Sequence, residues 1–108
     1  MPGAIAFVAC ANGKIHHFVC IKKDGNLGHI IASFNNDDDV TWSLGDLTGQ
    51  AHRQSQIAIA CSNPTDEVSS ELDVLYQNPS MAIVAMRRNK STGQWSHEGE
   101  PESHTILN

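Results

Sequence analysis

Two tryptophans and two histidines are the side chains of this sequence best suited to holding a ligand. Trp42 and Trp95 each offer a large flat ring for C–H contacts with a sugar and one N–H donor. Packing between sheets is the alternative role for both rings. His16 and His29 fall in adjacent predicted strands, and neutral imidazole both donates and accepts hydrogen bonds. We expect the two histidines to flank one site; ordinary surface or partly buried histidines are the alternative.

Motifs for catalysis or metal binding are missing from the sequence. It has no Gly-x-Ser-x-Gly, no phosphate loop, no Cys-x-x-Cys and no His-x-x-x-His. His16 and His17 alternate across a predicted strand, so they cannot bind one metal together. Asp37-Asp38-Asp39 lacks the acidic spacing and the glycine of a calcium loop. We therefore expect no metal, no cofactor and no enzymatic activity.

Length and charge limit the remaining classes of protein. The chain has 108 residues and a net charge of −5, which indicates one modest domain with no general attraction to nucleic acid. No apolar run approaches the ~20 residues of a membrane span. Residues 1–4 lack the basic segment of a signal peptide. We expect no membrane insertion, and a cytoplasmic location or release without a conventional signal peptide.

The three cysteines, Cys10, Cys20 and Cys61, show no recognisable pairing pattern. Their number is odd, and cysteine is among the residue types most often buried as a free thiol. The sequence therefore predicts three free thiols.

Short apolar segments bounded by turns predict an all-β protein. Asn12-Gly13 and Asp24-Gly25 are strong hairpin signals. The predicted strands cover residues 4–10, 15–22, 27–33 and 40–44 in the first half and 56–61, 72–77, 81–86 and 94–96 in the second. Residues 45–55 are polar and are predicted to link the two halves.

The second half repeats the order of the first. Ile5 and Ile57, and likewise Trp42 and Trp95, lie about fifty residues apart, and we match Ile15–Val19 to Leu72–Tyr76. A repeat of this length with four strands is typical of propeller blades. We predict two four-stranded antiparallel propeller-like blades, with repeat 1 at about 4–52, repeat 2 at about 55–99 and a polar tail at 100–108.

Two blades leave apolar faces exposed, which identical copies can cover by closing a ring. Known propellers have about four to eight blades. We therefore expect a β-propeller completed by oligomerisation, as a homotrimer with six blades.

The second repeat resembles the fucose-binding six-bladed propeller lectins of fungi and bacteria. The resemblance rests on Ser55-Gln56-Ile57-Ala58, Leu72-Asp73-Val74-Leu75-Tyr76-Gln77 and Gly93-Gln94-Trp95, and it extends over residues 4–99 as two diverged blades. It implies a multivalent lectin fold, and some members of the family are two-blade chains that trimerise.

The resemblance also implies positions for the sugar-binding residues. The arginine of the family falls on His16 and Asp73, its glutamate falls on His29 and Ile83, and its aromatic platform is kept as Trp42 and Trp95. On this basis the favoured function is binding of glycans or small saccharides. The alternative is a non-catalytic interaction or structural scaffold that has lost its sugar sites. If His16 and His29 share a site, their protonation near pH 6.5 should weaken binding there.

Overall fold

The computed structural model describes residues 4–36, 39–63 and 71–99. Its strands are β1 Ile5–Cys10, β2 Ile15–Ile21, β3 Asn26–Asn36, β4 Asp39–Gln50, β5 Ala58–Cys61, β6 Leu72–Gln77, β7 Ile83–Arg88 and β8 Trp95–Gly99. A 3-10 turn, Ala11–Gly13, joins β1 to β2. In these ranges no helix is long and apolar enough to cross a membrane.

The strands form two separate four-stranded sheets. Sheet A has the order β1-β2-β3-β4 and sheet B the order β5-β6-β7-β8, and all pairs are antiparallel. Each sheet is a meander, because every strand pairs with the next one along the chain. The predicted all-β class with two four-stranded antiparallel sheets is confirmed.

The fourth strand differs from its prediction. β4 extends from Asp39 to Gln50, whereas the sequence indicated a strand at 40–44 followed by a polar linker. Gly45 pairs with His29, and Gln50 pairs with Asn26 after a register shift. Backbone pairing with β3 does not require apolar side chains, so polarity misidentified this segment. The predicted tail, residues 100–108, lies outside the described residues.

The core lies between the two sheets. Of the strands that belong to different sheets, β1 and β5 lie close together over the longest stretch of backbone. The buried core residues are Val19, Leu27, Leu47 and Ala51 on the sheet A side and Val74, Tyr76, Val84 and Met86 on the sheet B side. Leu47 and Ala51 come from the segment predicted as a linker, so this segment closes one side of the core.

Matching rungs across the sheets define the repeat. We use "rung" for residues that lie side by side across four strands and therefore share one face. One rung of sheet A is Ala9, His16, Ala32 and Trp42, and the matching rung of sheet B is Cys61, Leu72, Arg88 and Trp95. The predicted equivalence of Trp42 with Trp95 is consistent with these rungs. The match of Ile15 to Leu72 is wrong by one residue, because Leu72 corresponds to His16.

The matching rungs do not face each other. The Trp42 rung lies on the side of sheet A away from sheet B, where Trp42 is 62% exposed. The Trp95 rung faces sheet A, because Trp95 packs against the core. Both rungs therefore point in the same direction, from sheet B towards sheet A. The two repeats stack head to tail, and they are not related by the local two-fold axis that would place both rungs inside.

Head-to-tail stacking leaves one face uncovered at each end. We call the uncovered side of sheet A the front face; its exposed apolar residues are Ile5, Phe7, Phe34, Trp42 and Leu44. We call the uncovered side of sheet B the back face; it carries Ala58, Asp73, Leu75, Ala85 and Arg87. The front face corresponds to the side of sheet B that lies in the core.

Candidate functional site

The predicted site residues are divided among three surfaces. His29 and Trp95 lie between the sheets, where the edge of one ring meets the face of the other at 5.4 Å between ring centroids. His16 and Trp42 lie on the front face, and Asp73 lies on the back face. The structure thus brings one predicted pair together and separates the remaining residues.

The prediction that His16 and His29 flank one site is wrong. His16 pairs with Ala32, whereas His29 pairs with Val19, three residues further along β2 than His16. Side chains alternate along a strand, so an odd separation places them on opposite faces. The His16 ring instead packs between Phe7 and Phe34, with centroid distances of 5.1 and 4.6 Å.

His17, and not His16, is the partner of His29. Nδ1 of His17 lies 2.9 Å from Nε2 of His29, and the rings stack with centroids 5.1 Å apart. Burial lowers the pKa of each histidine to about 4; the positive charge of Arg88 is a smaller cause for both. Both rings are therefore neutral near pH 7, and one nitrogen donates the hydrogen bond that the other accepts. The expected repulsion between protonated His16 and His29 near pH 6.5 does not apply, because His29 is neutral at that pH and lies on the opposite face from His16.

The corrected register also changes the position taken from the lectin resemblance. Asp73 corresponds to His17, because these residues pair with Arg87 and Ile31 at matching places in their sheets. The arginine position of the first repeat therefore falls on a residue between the sheets. His17 is only 5% exposed, and the loop-length difference between the repeats concealed this match.

The sequence analysis did not select Arg88, whose positive charge acts on both histidines of this pair. Its side chain is partly buried, and its Nε has no hydrogen-bond partner. A buried donor without a partner costs ~1–3 kcal/mol. Burial lowers the pKa of Arg88, and Cys10 acts in the opposite direction; a guanidinium nevertheless stays charged in proteins. The alternation Val84, Met86, Arg88 along β7 was the signal that this residue faces inwards.

Arg88 lines a cleft of about 220 Å³ at one end of the space between the sheets. The lining residues are Cys10, Ala11, Ile15, His17, Ile31, Ser33, Arg88 and Lys90. Apolar side chains form part of the wall, and a guanidinium, a hydroxyl and an imidazole supply polar groups. Such a combination binds a small polar or anionic group and orients it.

The thiol beside this cleft is unsuited to nucleophilic chemistry. Burial, together with a hydrogen bond to Cys61, raises the pKa of Cys10 to about 12. The reactive form of cysteine is the thiolate, so Cys10 is protonated at neutral pH. Cys10, Cys20 and Cys61 are all free thiols, which confirms that prediction.

A second, larger depression of about 440 Å³ lies where the repeats join. Its lining residues are Lys23, Asp24, Gly25, Gln50, Ala51, His52, Arg53 and Pro79. The Asp24 carboxylate is engaged by Asn26, and no aromatic ring other than His52 contributes to the wall. It therefore offers less than the cleft for recognition of a sugar.

The described residues contain no group of three or more side chains that could hold a metal ion. No protein-family model, curated protein or solved structure matches this chain. The resemblance to propeller lectins stays a prediction.

Proposed function

We propose that this chain is a carbohydrate-binding, lectin-like protein whose copies stack head to tail into a closed, multivalent ring. The proposal rests on one observation: of two matching rungs, one is buried between the sheets and the other is exposed. Leu72 and Trp95 are packed between the sheets, whereas His16 and Trp42 lie on the uncovered front face. A second copy can cover the front face with its back face, by repeating the contact that already joins the two sheets.

A neighbouring rung supports the same contact. Phe7, Phe18 and Ile30 share a rung on the front face with Leu44. The residues of sheet B that match the first three are Ile59, Val74 and Met86, and they pack in the core. Phe7 is 52% exposed and Leu44 is 81% exposed. Contiguous exposed apolar surface of this kind is characteristic of interaction sites.

A closed ring is one of the two assemblies that the direction of the contact allows. Head-to-tail contacts generate a ring if the rotation closes and a filament if it does not. Propellers have about four to eight blades, so a ring of two-sheet chains needs two to four copies, and the resemblance to six-bladed lectins favours a homotrimer. Each additional copy also adds binding sites, and multivalency raises the avidity of weak sugar sites.

The sugar sites follow from the same stacking. Within one chain, His29 contacts both Trp95 and His17, and His17 lines the cleft. Between copies, the corresponding residues are Trp42 of one chain and Asp73 of the next. We therefore assign one site to the cleft of each chain and one to each contact between chains; the second kind is incomplete without a neighbouring copy.

A scaffold that has lost sugar binding is the second candidate. The bidentate pairing of Asp73 with Arg87 favours it, because Nε of Arg87 donates to Oδ1 at 2.7 Å and Nη2 donates to Oδ2 at 3.2 Å. A carboxylate held in this way has less capacity to accept hydrogen bonds from sugar hydroxyls. This candidate keeps the ring and predicts no glycan binding.

A glycan array and native mass spectrometry on the same sample test the proposal. We expect a single closed trimer that retains glycans. A trimer that retains none would leave the scaffold as the better account. A stable monomer at micromolar concentration would contradict the ring and remove the geometric basis of both candidates.

A further inference from the structure

We infer that the cleft between the sheets binds a small oxyanion, a carboxylate or a phosphate group, through the guanidinium of Arg88. In a saccharide this group is the acid function of an acidic sugar. The saccharide identity rests on the proposed function, whereas the oxyanion site rests only on the contacts around Arg88.

Two consecutive arginines on β7 show why Arg88 is available for a ligand. Arg87 points to the back face and is engaged by two carboxylates, at 2.7 Å from Asp73 and 3.8 Å from Glu71. Arg88 points between the sheets, and its Nε has no partner. Among the described residues no carboxylate forms an ion pair with Arg88. One arginine thus has its counter-ion within the fold, and the other lines an open cleft without one.

The guanidinium of Arg88 packs against Gly93. The Nη2 atom lies 3.1 Å from the point where a Cβ on residue 93 would stand, so Gly93 leaves room for the side chain. Gly93 has a φ of +73°, a conformation that favours glycine. The planar guanidinium of an arginine matches the two oxygens of a carboxylate or phosphate.

The remaining polar groups of the cleft suit an anion better than a cation. Ser33 contributes a hydroxyl, His17 contributes a neutral ring, and none of the described lining residues is a carboxylate. Lys90 adds a second cationic side chain to the lining. An oxyanion in the cleft therefore meets donors and positive charge and no like charge.

The size of the cleft limits what it can hold. Its volume of about 220 Å³ is below the ~300–1,000 Å³ of sites that enclose drug-sized ligands. A cleft of this volume has room for an inorganic phosphate, or for one acidic sugar ring with part of its surface open to solvent. A long polyanion would have to lie outside the cleft.

Isothermal titration calorimetry with three probes tests the inference: galacturonate, galactose and inorganic phosphate, each at constant ionic strength. We expect galacturonate to bind at least ten times more tightly than galactose, and phosphate to compete with galacturonate. Arg88→Gln should weaken galacturonate binding by roughly tenfold to a hundredfold, because charge-assisted hydrogen bonds are the strong ones. It should weaken galactose binding much less, because galactose carries no acid group.

Arg87→Gln is the matched control, because it removes the same charge one residue away on the opposite face of β7. It should leave the affinities for galacturonate and phosphate unchanged. Arg88→Lys keeps the charge but loses the planar guanidinium, and we expect it to bind galacturonate more weakly than the wild-type protein does. If Arg88→Gln fails to fold, the wild-type protein still decides the matter through its selectivity among the three probes.

The outcomes separate this inference from the proposed function. Equal affinity for galacturonate and galactose would overturn the oxyanion site and leave the lectin proposal intact. Binding of phosphate without binding of either sugar would support the oxyanion site and count against the lectin. Binding of neither galacturonate nor phosphate, or an equal loss of galacturonate binding in Arg87→Gln, would overturn the inference.

Discussion

His17 and His29 form a buried imidazole pair between the two sheets, with Nδ1 of His17 2.9 Å from Nε2 of His29. Both rings are nearly inaccessible to solvent, and the hydrogen bond needs at least one of them to be neutral. The pair lies between the tryptophan that packs on it, Trp95, and the cleft that Arg88 lines. It therefore links the stability of the fold to the state of the proposed site.

Acidification should destabilise the protein through this pair. Burial lowers the pKa of both histidines to about 4 in the folded chain, below the usual value of about 6.5 for an unfolded chain. Between these values the unfolded state binds more protons, so the free energy of unfolding falls as the pH drops from about 6.5 to about 4. Thermal unfolding at pH 7.5, 6, 5 and 4.5 measures this slope. A loss of 1 kcal/mol lowers Tm by about 4–8 °C in a domain of this size.

Matched histidine variants show where the slope comes from. His29→Gln should flatten the dependence of Tm on pH, because the titrating pair is lost. His16→Gln removes a histidine from the front face of the same sheet and should retain the slope. A wild-type Tm that does not change between pH 7 and 5 would contradict the neutral buried pair.

The two tryptophans should respond differently to truncation. Trp95→Ala removes a half-buried ring from the core and should lower the free energy of unfolding by about 2–4 kcal/mol, somewhat below the ~3–5 kcal/mol typical of a buried aromatic. Trp42→Ala removes a ring from the front face and should change the stability of the isolated chain by about 0.5 kcal/mol or less. The same variant should weaken assembly. Urea unfolding and native mass spectrometry measure the two effects.

The head-to-tail contact should be recovered by mixing two assembly-defective chains. Leu44→Glu places a charge on the front face and Leu75→Glu places one on the back face, so each variant alone should be monomeric. In an equimolar mixture the intact back face of the first can dock on the intact front face of the second, and one heterodimer should form. Sedimentation velocity distinguishes the species. If Leu75→Glu alone forms a homodimer, the contact pairs two front faces and the head-to-tail arrangement is wrong.

Gly49 should tolerate no side chain. A Cβ at this position would overlap the hydroxyl of Tyr76, and Sδ of Met86 lies 3.4 Å from the same point. Both residues belong to the core, so Gly49→Ala should cost about 1–3 kcal/mol through overpacking. Gly45→Ala is the control on the same strand, because nothing lies within 4 Å of its Cβ position. Equal stabilities of the two variants in urea would contradict the packing described around Tyr76.

Cys10 should react slowly with thiol reagents in the folded protein. Burial and the hydrogen bond to Cys61 raise its pKa to about 12, so very little thiolate is present at pH 8. Titration with an aromatic disulfide reagent should count three thiols per chain in denaturant. Cys10 should react with the reagent only when the protein unfolds. Cys10→Ser identifies the slow thiol by mass spectrometry. Rapid modification of Cys10 in the native state would contradict its burial.

Part of the fold could be predicted from local patterns in the sequence. Turn signals and apolar alternation identified the all-β class and the four strands of each repeat, because these depend on neighbouring residues. The extension of β4 was missed, because its pairing with β3 leaves no apolar pattern in residues 45–50.

The candidate site depended on tertiary structure for a different reason. Alternation divides a strand into two faces, but it does not say which face another sheet covers; stacking decided that Arg88 lies inside and Arg87 outside. The loops between strands decided the register, so His17 and not His16 came to face His29. Trp42 and Trp95 were correctly paired by their spacing, yet only the head-to-tail packing places one in the core and the other in solvent. The sequence by itself determined the two repeats, and the packing between them decided which equivalent residues form a site.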